Sequence, residues 1–115
     1  MMRLRNVTTG EVVASSMLRA GKPYAHLLGA IRPKHLNPNE GVWFDDCCVL
    51  HTIGMESEID VIFLDKHQRV LRILCSVPRN RFPVACLAAR SVVQLGSREL
   101  YNYDILVGDR FALED

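Results

Sequence analysis

The feature that most constrains this chain is an apolar run broken by a single carboxylate, Ile59–Leu64. Its residues are mostly β-branched, aromatic or aliphatic, and the run is too short for an ordinary helix, so it predicts a strand. Because side chains alternate along a strand, Asp60 shares a face with Ile62 and Leu64, and the other three residues point the opposite way. Both faces are apolar apart from Asp60, which predicts a strand covered on both sides.

The carboxylate of Asp60 loses hydration in such a place and needs hydrogen-bond donors or a cation. We interpret it first as a structural residue, mostly buried and hydrogen-bonded to the segment 51–57, with Thr52 as one donor. The alternative is a hydrolase site in which His51 acts as general base and Asp60 orients its imidazole. No nucleophile motif accompanies the pair, and Cys47 or Cys48 is only a formal candidate, so His51 and Asp60 stay catalytic candidates without an assigned role.

A binding site is predicted around the same stretch. We expect His51 at the end of the strand that begins at Cys47, close to Thr52, within reach of Asp60 and at the mouth of a pocket. The alternative for His51 is a packing role, with a ring nitrogen bonded to a backbone carbonyl. Long connections inside compact domains are often functional, and the connection 78–89 carries two basic residues. The predicted binding residues are His51, Thr52, Asp60, Arg79 and Arg81.

Composition narrows the classes of protein that fit. A length of 115 residues predicts one domain, 1–115, and 49% hydrophobic with 23% charged residues is ordinary for a soluble globular protein. A net charge of +1 gives no electrostatic case for a nucleic-acid partner. The chain shows no membrane-spanning run and no secretory start, so the expected location is the cytoplasm, without membrane insertion.

Four cysteines, at positions 47, 48, 75 and 86, are expected to be reduced. A bridge between the adjacent Cys47 and Cys48 would be strained, because their Cα atoms are about 3.8 Å apart. No Cys-x-x-Cys pair and no His-x₃-His pair is present, so we predict no metal and no cofactor.

Turn signals and alternating apolar residues predict a chain of short strands. A hairpin of 3–7 and 11–18 opens the chain, and a short helix with Tyr24, Leu27, Leu28 and Ile31 on one face follows. The hairpin 58–77 is expected at the centre of the sheet, and a second short helix at 98–103 precedes a last strand at 110–113. We therefore predict an α+β, mostly β fold: a small antiparallel β-barrel or sandwich with one or two short helices.

Several short blocks of residues carry a family resemblance, and they stand in one order over about residues 10–113. They are Gly41-Val42-Trp43, Cys48-Val49-Leu50-His51-Thr52, Met55, Ile59-Asp60-Val61-Ile62-Phe63-Leu64-Asp65, Val70-Leu71-Arg72 and Val107-Gly108-Asp109-Arg110. In this set the chain resembles the bacterial and archaeal family called domain of unknown function 192. The resemblance implies a compact β-barrel-like fold with a short helix packed on it, and no established activity. Some members are exported, and some are associated with bacterial surface-pilus assembly systems.

The chain departs from the family pattern at three positions. Glu58 replaces a usual proline, Gln68 replaces a glycine in the hairpin turn, and Gln94 stands where a glutamate is usual. A non-glycine residue in a left-handed conformation at 68 would cost about 1 kcal/mol. If the glutamate at 94 belonged to an acid pair, this chain has lost half of that pair.

These observations favour a monomeric, non-enzymatic module that binds a small ligand or a protein partner. The resemblance adds an accessory role beside a surface or pilus assembly system. The alternative is a hydrolase-like enzyme that uses His51 and Asp60. Nucleic-acid binding ranks third, because the overall charge is near neutral and no aromatic-basic motif accompanies the arginines that would carry it, Arg79, Arg81, Arg90 and Arg98.

Overall fold

The computed structural model describes residues 2–20 and 35–115. Nine strands and one short 3₁₀ turn, η1, lie in these residues. In chain order they are β1 (Met2–Asn6), β2 (Val12–Ala20), β3 (Glu40–Asp45), β4 (Val49–Leu50), β5 (Ile59–Leu64), β6 (Val70–Val77), β7 (Val84–Ala85), β8 (Ser91–Gly96), η1 (Glu99–Asn102) and β9 (Phe111–Glu114).

Seven of the strands form one sheet in the order β6-β5-β8-β3-β2-β1-β9, and β4 pairs with β7 in a separate two-stranded ladder. All neighbours in the large sheet are antiparallel except β2 and β3, which run parallel. A parallel pair needs a crossover connection rather than a tight turn. The segment between β2 and β3 includes residues 21–34, so the predicted helix with Tyr24 and Ile31 lies outside the described residues.

Strand β5 is buried at all six positions, as its composition predicted. Val61 and Phe63 belong to one apolar cluster, the first core, which also contains Phe44, Leu50 and Val92. Ile62 and Leu64 belong to the opposite cluster, the second core, which also contains Trp43, Val93 and Phe111. The prediction of apolar layers on both faces of this strand is therefore confirmed.

The fold is mostly β, as predicted, but the large sheet is not closed into a barrel. Its two edge strands do not form a ladder with each other within residues 2–20 and 35–115, although an isolated bridge joins Arg69, just before β6, to Arg110, just before β9. The second predicted helix, 98–103, is a four-residue 3₁₀ turn, Glu99–Asn102. No helix within residues 2–20 or 35–115 is long and apolar enough to cross a membrane.

The hairpin of β5 and β6 lies at one edge of the sheet, so the prediction that it forms the centre is wrong. Strand β3 occupies the middle of the seven, with β8 beside it. The error has a physical reason: a strand becomes apolar on both faces when layers pack above and below it, whatever its place in the sheet. For β5 those layers are the two cores.

The turn that joins β5 to β6 is closed by Asp65. Its Oδ1 accepts hydrogen bonds from the backbone amides of His67, at 2.8 Å, and Arg69, at 3.0 Å. These bonds, with that of Arg69 contributing most, hold the pKa of the Asp65 carboxyl below its usual value. Gln68 adopts φ = 64°, so the left-handed residue expected where the family has glycine is present.

Replacing Gln68 with glycine is expected to stabilise the domain by about 0.5 kcal/mol. Relief of the left-handed strain contributes about 1 kcal/mol, which is more than glycine costs by adding conformational entropy to the unfolded chain. Lys66→Gly in the same turn is the matched control. Lys66 is not among the residues with positive φ, so that change should destabilise by about 0.5–1 kcal/mol. Urea unfolding compares them, and a lower midpoint for Gln68→Gly than for wild type would contradict the prediction.

Candidate functional site

The carboxylate of Asp60 is completely buried, as predicted, and both of its oxygens accept hydrogen bonds from backbone amides. Oδ1 accepts from the amide of Ser76 at 2.8 Å, and Oδ2 accepts from the amide of Leu100 at 3.1 Å. These donors lie in β6 and in η1 rather than in the predicted segment 51–57. Asp60 therefore ties β5 to its edge strand and to the turn that follows β8.

A local irregularity of β6 brings the amide of Ser76 to the carboxylate. In the β5–β6 ladder Ile59 pairs with Val77 but Val61 pairs with Leu74, so β6 holds an extra residue opposite Asp60. Ser76, in this bulge, has φ = 53°. Bulges of this kind redirect a strand locally, and here the result is an amide that points at the carboxylate.

Thr52 is the second buried polar residue, and it fixes two loops to each other. Its amide donates to the carbonyl of Arg81 at 2.9 Å, and its own carbonyl accepts from the amides of Asn80 at 3.0 Å and Met55 at 3.2 Å. Its Oγ1 donates to the carbonyl of Pro78 at 2.7 Å and accepts from the amide of Arg81 at 2.8 Å. Four of these five hydrogen bonds thus hold the segment 78–81 against Thr52, and the fifth closes the turn from Thr52 to Met55.

We call the surface formed by residues 51–57 and 78–85 the loop face. His51 is half-buried at its edge, and its Nδ1 accepts a hydrogen bond from the amide of Ile53 at 3.1 Å. Because the oxygens of Asp60 are bonded to amides of β6 and η1, the carboxylate is not the group that orients this imidazole. The arrangement favours a structural role for Asp60 over the hydrolase pair.

Arg79 and Arg81 are exposed on the loop face. Within residues 2–20 and 35–115 neither guanidinium takes part in an ion pair. Two large apolar side chains are exposed beside them, Ile53 at 57% and Phe82 at 65%. The loop face therefore presents cations and apolar groups together, on a backbone that Thr52 holds in place.

A groove of about 260 Å³ runs between β6 and the loop face. Its walls include Arg72 and Leu74 from β6, and Arg81 and Val84 from the loop face. A larger concavity, about 480 Å³, lies at the β5–β6 turn and is lined by polar residues. Small-molecule pockets are usually apolar with a few polar groups, and of these two concavities only the groove combines an apolar floor with charged walls.

The cysteines show no sign of an activated nucleophile. Sγ of Cys47 donates to the carbonyl of Val49 at 3.0 Å, a contact that the protonated thiol makes. Partial desolvation, with the negative charge of Asp60 adding to it, raises the pKa of the Cys75 thiol. The thiolate is the reactive form, and both environments favour the thiol. All four cysteines are free, and no three His, Cys, Asp or Glu side chains in the described part of the chain cluster as metal ligands.

Gln94 is completely buried on the face of β8 that meets the first core, with Nε2 3.7 Å from Sδ of Met55. In the β5–β8 ladder it stands opposite Val61, whereas Asp60 stands opposite Leu95. A glutamate at position 94 would therefore point to the other face of the sheet from Asp60. These two positions could not form an acid pair.

Sequence analysis missed one buried polar pair, Asn6 and Asp109. Nδ2 of Asn6 donates to Oδ2 of Asp109 at 3.0 Å, and Oδ1 of Asn6 accepts from the amide of Thr8 at 3.1 Å. The amide of Leu106 also donates to Oδ2 of Asp109, at 3.0 Å. The available signal was an asparagine just before the Thr-Thr-Gly turn, the usual place for an Asx-turn. The pair closes two turns and lies away from the loop face.

The fold and the site define a class: a small, mostly β domain with one open sheet and a loop face fixed by buried polar side chains. The chain belongs to the family described as Uncharacterized ACR, domain of unknown function 192, whose profile matches residues 5–113. The family assignment made from the ordered blocks is therefore confirmed.

Two solved structures share the fold. One is a protein of unknown function from Novosphingobium aromaticivorans, with a TM-score of 0.76 and 17% identity, covering 96% of this chain and 82% of that one. The other is described as a putative transcription regulator from Sinorhizobium meliloti, with a TM-score of 0.71 and 17% identity, covering 96% of this chain and 90% of that one. At this identity the likeness concerns the fold alone. Among curated proteins, no match to the chain is found.

Replacing Asp60 with alanine is expected to cost about 2–4 kcal/mol of unfolding free energy, because two buried amides lose their acceptor. Asp104→Ala is the control, since Asp104 is exposed and should give a change within about 0.5 kcal/mol. Urea unfolding at neutral pH measures both. Equal midpoints for Asp60→Ala and wild type would remove Asp60 from its structural role.

Replacing Thr52 with valine is expected to cost about 1–3 kcal/mol and to speed hydrogen exchange at the amide of Arg81, because that amide loses its hydroxyl acceptor. Thr52→Ser keeps the hydroxyl and should keep the protection of that amide, although it deletes a buried methyl group. If serine and valine at position 52 gave the same exchange rate at Arg81, the hydroxyl would not be what fixes the loop.

Proposed function

We propose that this protein is a non-enzymatic binding module and that its binding surface is the loop face. The observation that carries the proposal is the four-bond clamp between Thr52 and the segment 78–81, which fixes the backbone of two loops while the side chains around it stay exposed. A loop ordered before binding does not lose that conformational entropy when a partner arrives. A preformed binding surface needs this combination, in which buried hydrogen bonds hold the backbone and the surrounding side chains are exposed to a partner.

The side chains on the loop face suit a protein partner. Phe82 and Ile53 expose large apolar groups. Arg81 adjoins Phe82 in the chain, and the hydrogen bonds between Thr52 and Arg81 bring Ile53 to the same surface. Aromatic residues and arginine are enriched in protein interfaces, and they supply most of the residues whose truncation weakens binding. A partner would therefore bind favourably if it covered the exposed apolar groups and placed negative charge against the arginines.

The size of the groove also favours a protein partner over a small ligand. Its volume of about 260 Å³ falls below the range of roughly 300–1,000 Å³ usual for small-molecule pockets. A groove of this size accepts individual side chains of a larger partner. His51 and Thr52 then act as the rim and the support of the surface, and Asp60 acts by fixing the exit of β6. The accessory role in pilus assembly that the family resemblance implies stays a prediction.

Selection from a library of random linear peptides tests the proposal. Peptides selected on the wild-type protein are resynthesised, and their affinities for Arg81→Glu and Lys66→Glu are measured by fluorescence anisotropy. Both variants reverse one exposed charge, but Lys66 lies at the far turn of the β5–β6 hairpin. We expect Arg81→Glu to weaken binding about tenfold or more through the lost charge-assisted contact, and Lys66→Glu to leave it unchanged. Selected peptides that bind all three proteins equally would place binding elsewhere, and recovery of no peptide above background would also overturn the proposal.

A further inference from the structure

Strand β6 offers an open edge beside the groove. It is an edge strand of the large sheet, eight residues long, and its only strand neighbour in that sheet is β5. Alternate amides and carbonyls of such a strand point away from its neighbour. Within residues 2–20 and 35–115, no strand pairs with this edge beyond the bridge at Arg69.

The start of β6 shows that backbone groups on this edge are available for hydrogen bonding, here with the turn that precedes β9. The amide of Val70 donates to the carbonyl of Asp109 at 2.8 Å, and the carbonyl of Val70 accepts from the amide of Gly108 at 2.8 Å. From Leu71 onward the same edge continues with no strand of the described chain beside it. The four positions from Leu71 to Leu74, before the bulge at Ser76, span about 13 Å at 3.3 Å per residue, enough for a short extended peptide.

The groove gives this edge a chemical preference. Arg72 on β6 and Arg81 on the loop face are both in its wall, with Leu74, Val77, Pro83 and Val84 around them. No acidic residue is among its lining residues. An extended segment on the edge directs every second side chain to the same side. Carboxylates at those positions would meet the two guanidinium groups, and small apolar side chains would meet the floor.

A second copy of this chain fits the edge poorly. An antiparallel pairing of two β6 strands centred near Arg72 would bring the Arg72 of one copy near that of the other, and like charges across a ladder are destabilising. Charged side chains and bulges are the usual protection of an edge against self-pairing, and β6 has both, Arg72 and the bulge at Ser76. A segment of opposite charge avoids this repulsion.

We infer that the groove beside β6 takes an extended acidic segment of a partner protein, which adds to the β6 edge as a further strand. The inference rests on the proposed function and deepens it, because it names the partner chemistry and the way that the partner docks. Backbone hydrogen bonds to β6 supply affinity, and the two arginines select for acidic side chains, as in other cases of strand addition.

The first test uses two defined peptides, acetyl-(Glu-Val)₄-amide and acetyl-(Lys-Val)₄-amide. Binding is followed by amide chemical shifts and hydrogen exchange of the full chain. The acidic peptide should shift the amides of 71–75 and slow exchange at those among them that point away from β5, and the basic peptide should not bind. Arg72→Glu should weaken the acidic peptide at least tenfold and allow the basic one to bind, with Lys66→Glu as the control that changes neither. Equal binding of both peptides to wild type would overturn the charge preference.

The second test separates strand addition from other docking. Two versions of the acidic peptide are N-methylated at alternate residues, one at the even and one at the odd positions. A strand on an edge uses one set of amides and leaves the other toward solvent, so one version should lose binding at least tenfold and the other should keep it. If the acidic peptide binds more weakly to Arg81→Glu, but both of its N-methylated versions bind wild type or neither does, the strand inference fails and the loop face remains the binding surface. If the library-selected peptides bind Arg81→Glu as tightly as they bind wild type, the proposed function fails as well.

Discussion

A buried carboxylate with two backbone amides as its partners connects three separate segments at the end of this domain beside the loop face. Asp60 lies on the second-core face of β5, and its bonds reach Ser76 and Leu100. Each bond joins segments distant in the chain, 16 and 40 residues apart. Because the group has no exposure to water, it holds these segments through bonds that water does not weaken. The exit of β6 and the start of η1 are therefore set by one side chain.

Two buried polar residues act in succession on the segment that leaves β6. Asp60 fixes the backbone at Ser76, and Thr52 fixes it again from Pro78 to Arg81. Between these points the chain turns away from the sheet and forms the far wall of the groove. The shape of the groove consequently depends on the hydrogen bonds of Asp60 and Thr52, although its floor is apolar. Removing either residue should change the position of Arg81 before it changes the cores.

The features of the fold that depend on neighbouring residues in the sequence could be predicted from the sequence. The alternation along β5 gave its burial on both faces and placed Asp60 among apolar neighbours, and the turn residues gave the β1 and β5 hairpins. What depends on distant contacts was not predictable in this way. The partners of Asp60 require a bulge in β6, and the place of β5 near a sheet edge follows from pairing with β8. Thr52 was selected as a site residue, but its clamp on 78–81 arises from tertiary structure.

The ordering of the strands also decides how this domain can be joined to other chains. Strands β1 and β9 are neighbours, and Arg3 stands opposite Glu114 in their ladder, with Nε of Arg5 2.6 Å from Oε1 of Glu114. Both ends of the described chain therefore leave from one place. The bridge between Arg69 and Arg110 is antiparallel, so β9 runs from it toward this place and β6 runs from it the opposite way. A host protein can carry this domain as an insertion at a single surface point, since neighbouring termini make insertion and circular permutation tolerable. Tethered through that point, the domain would keep β6 clear of its anchor.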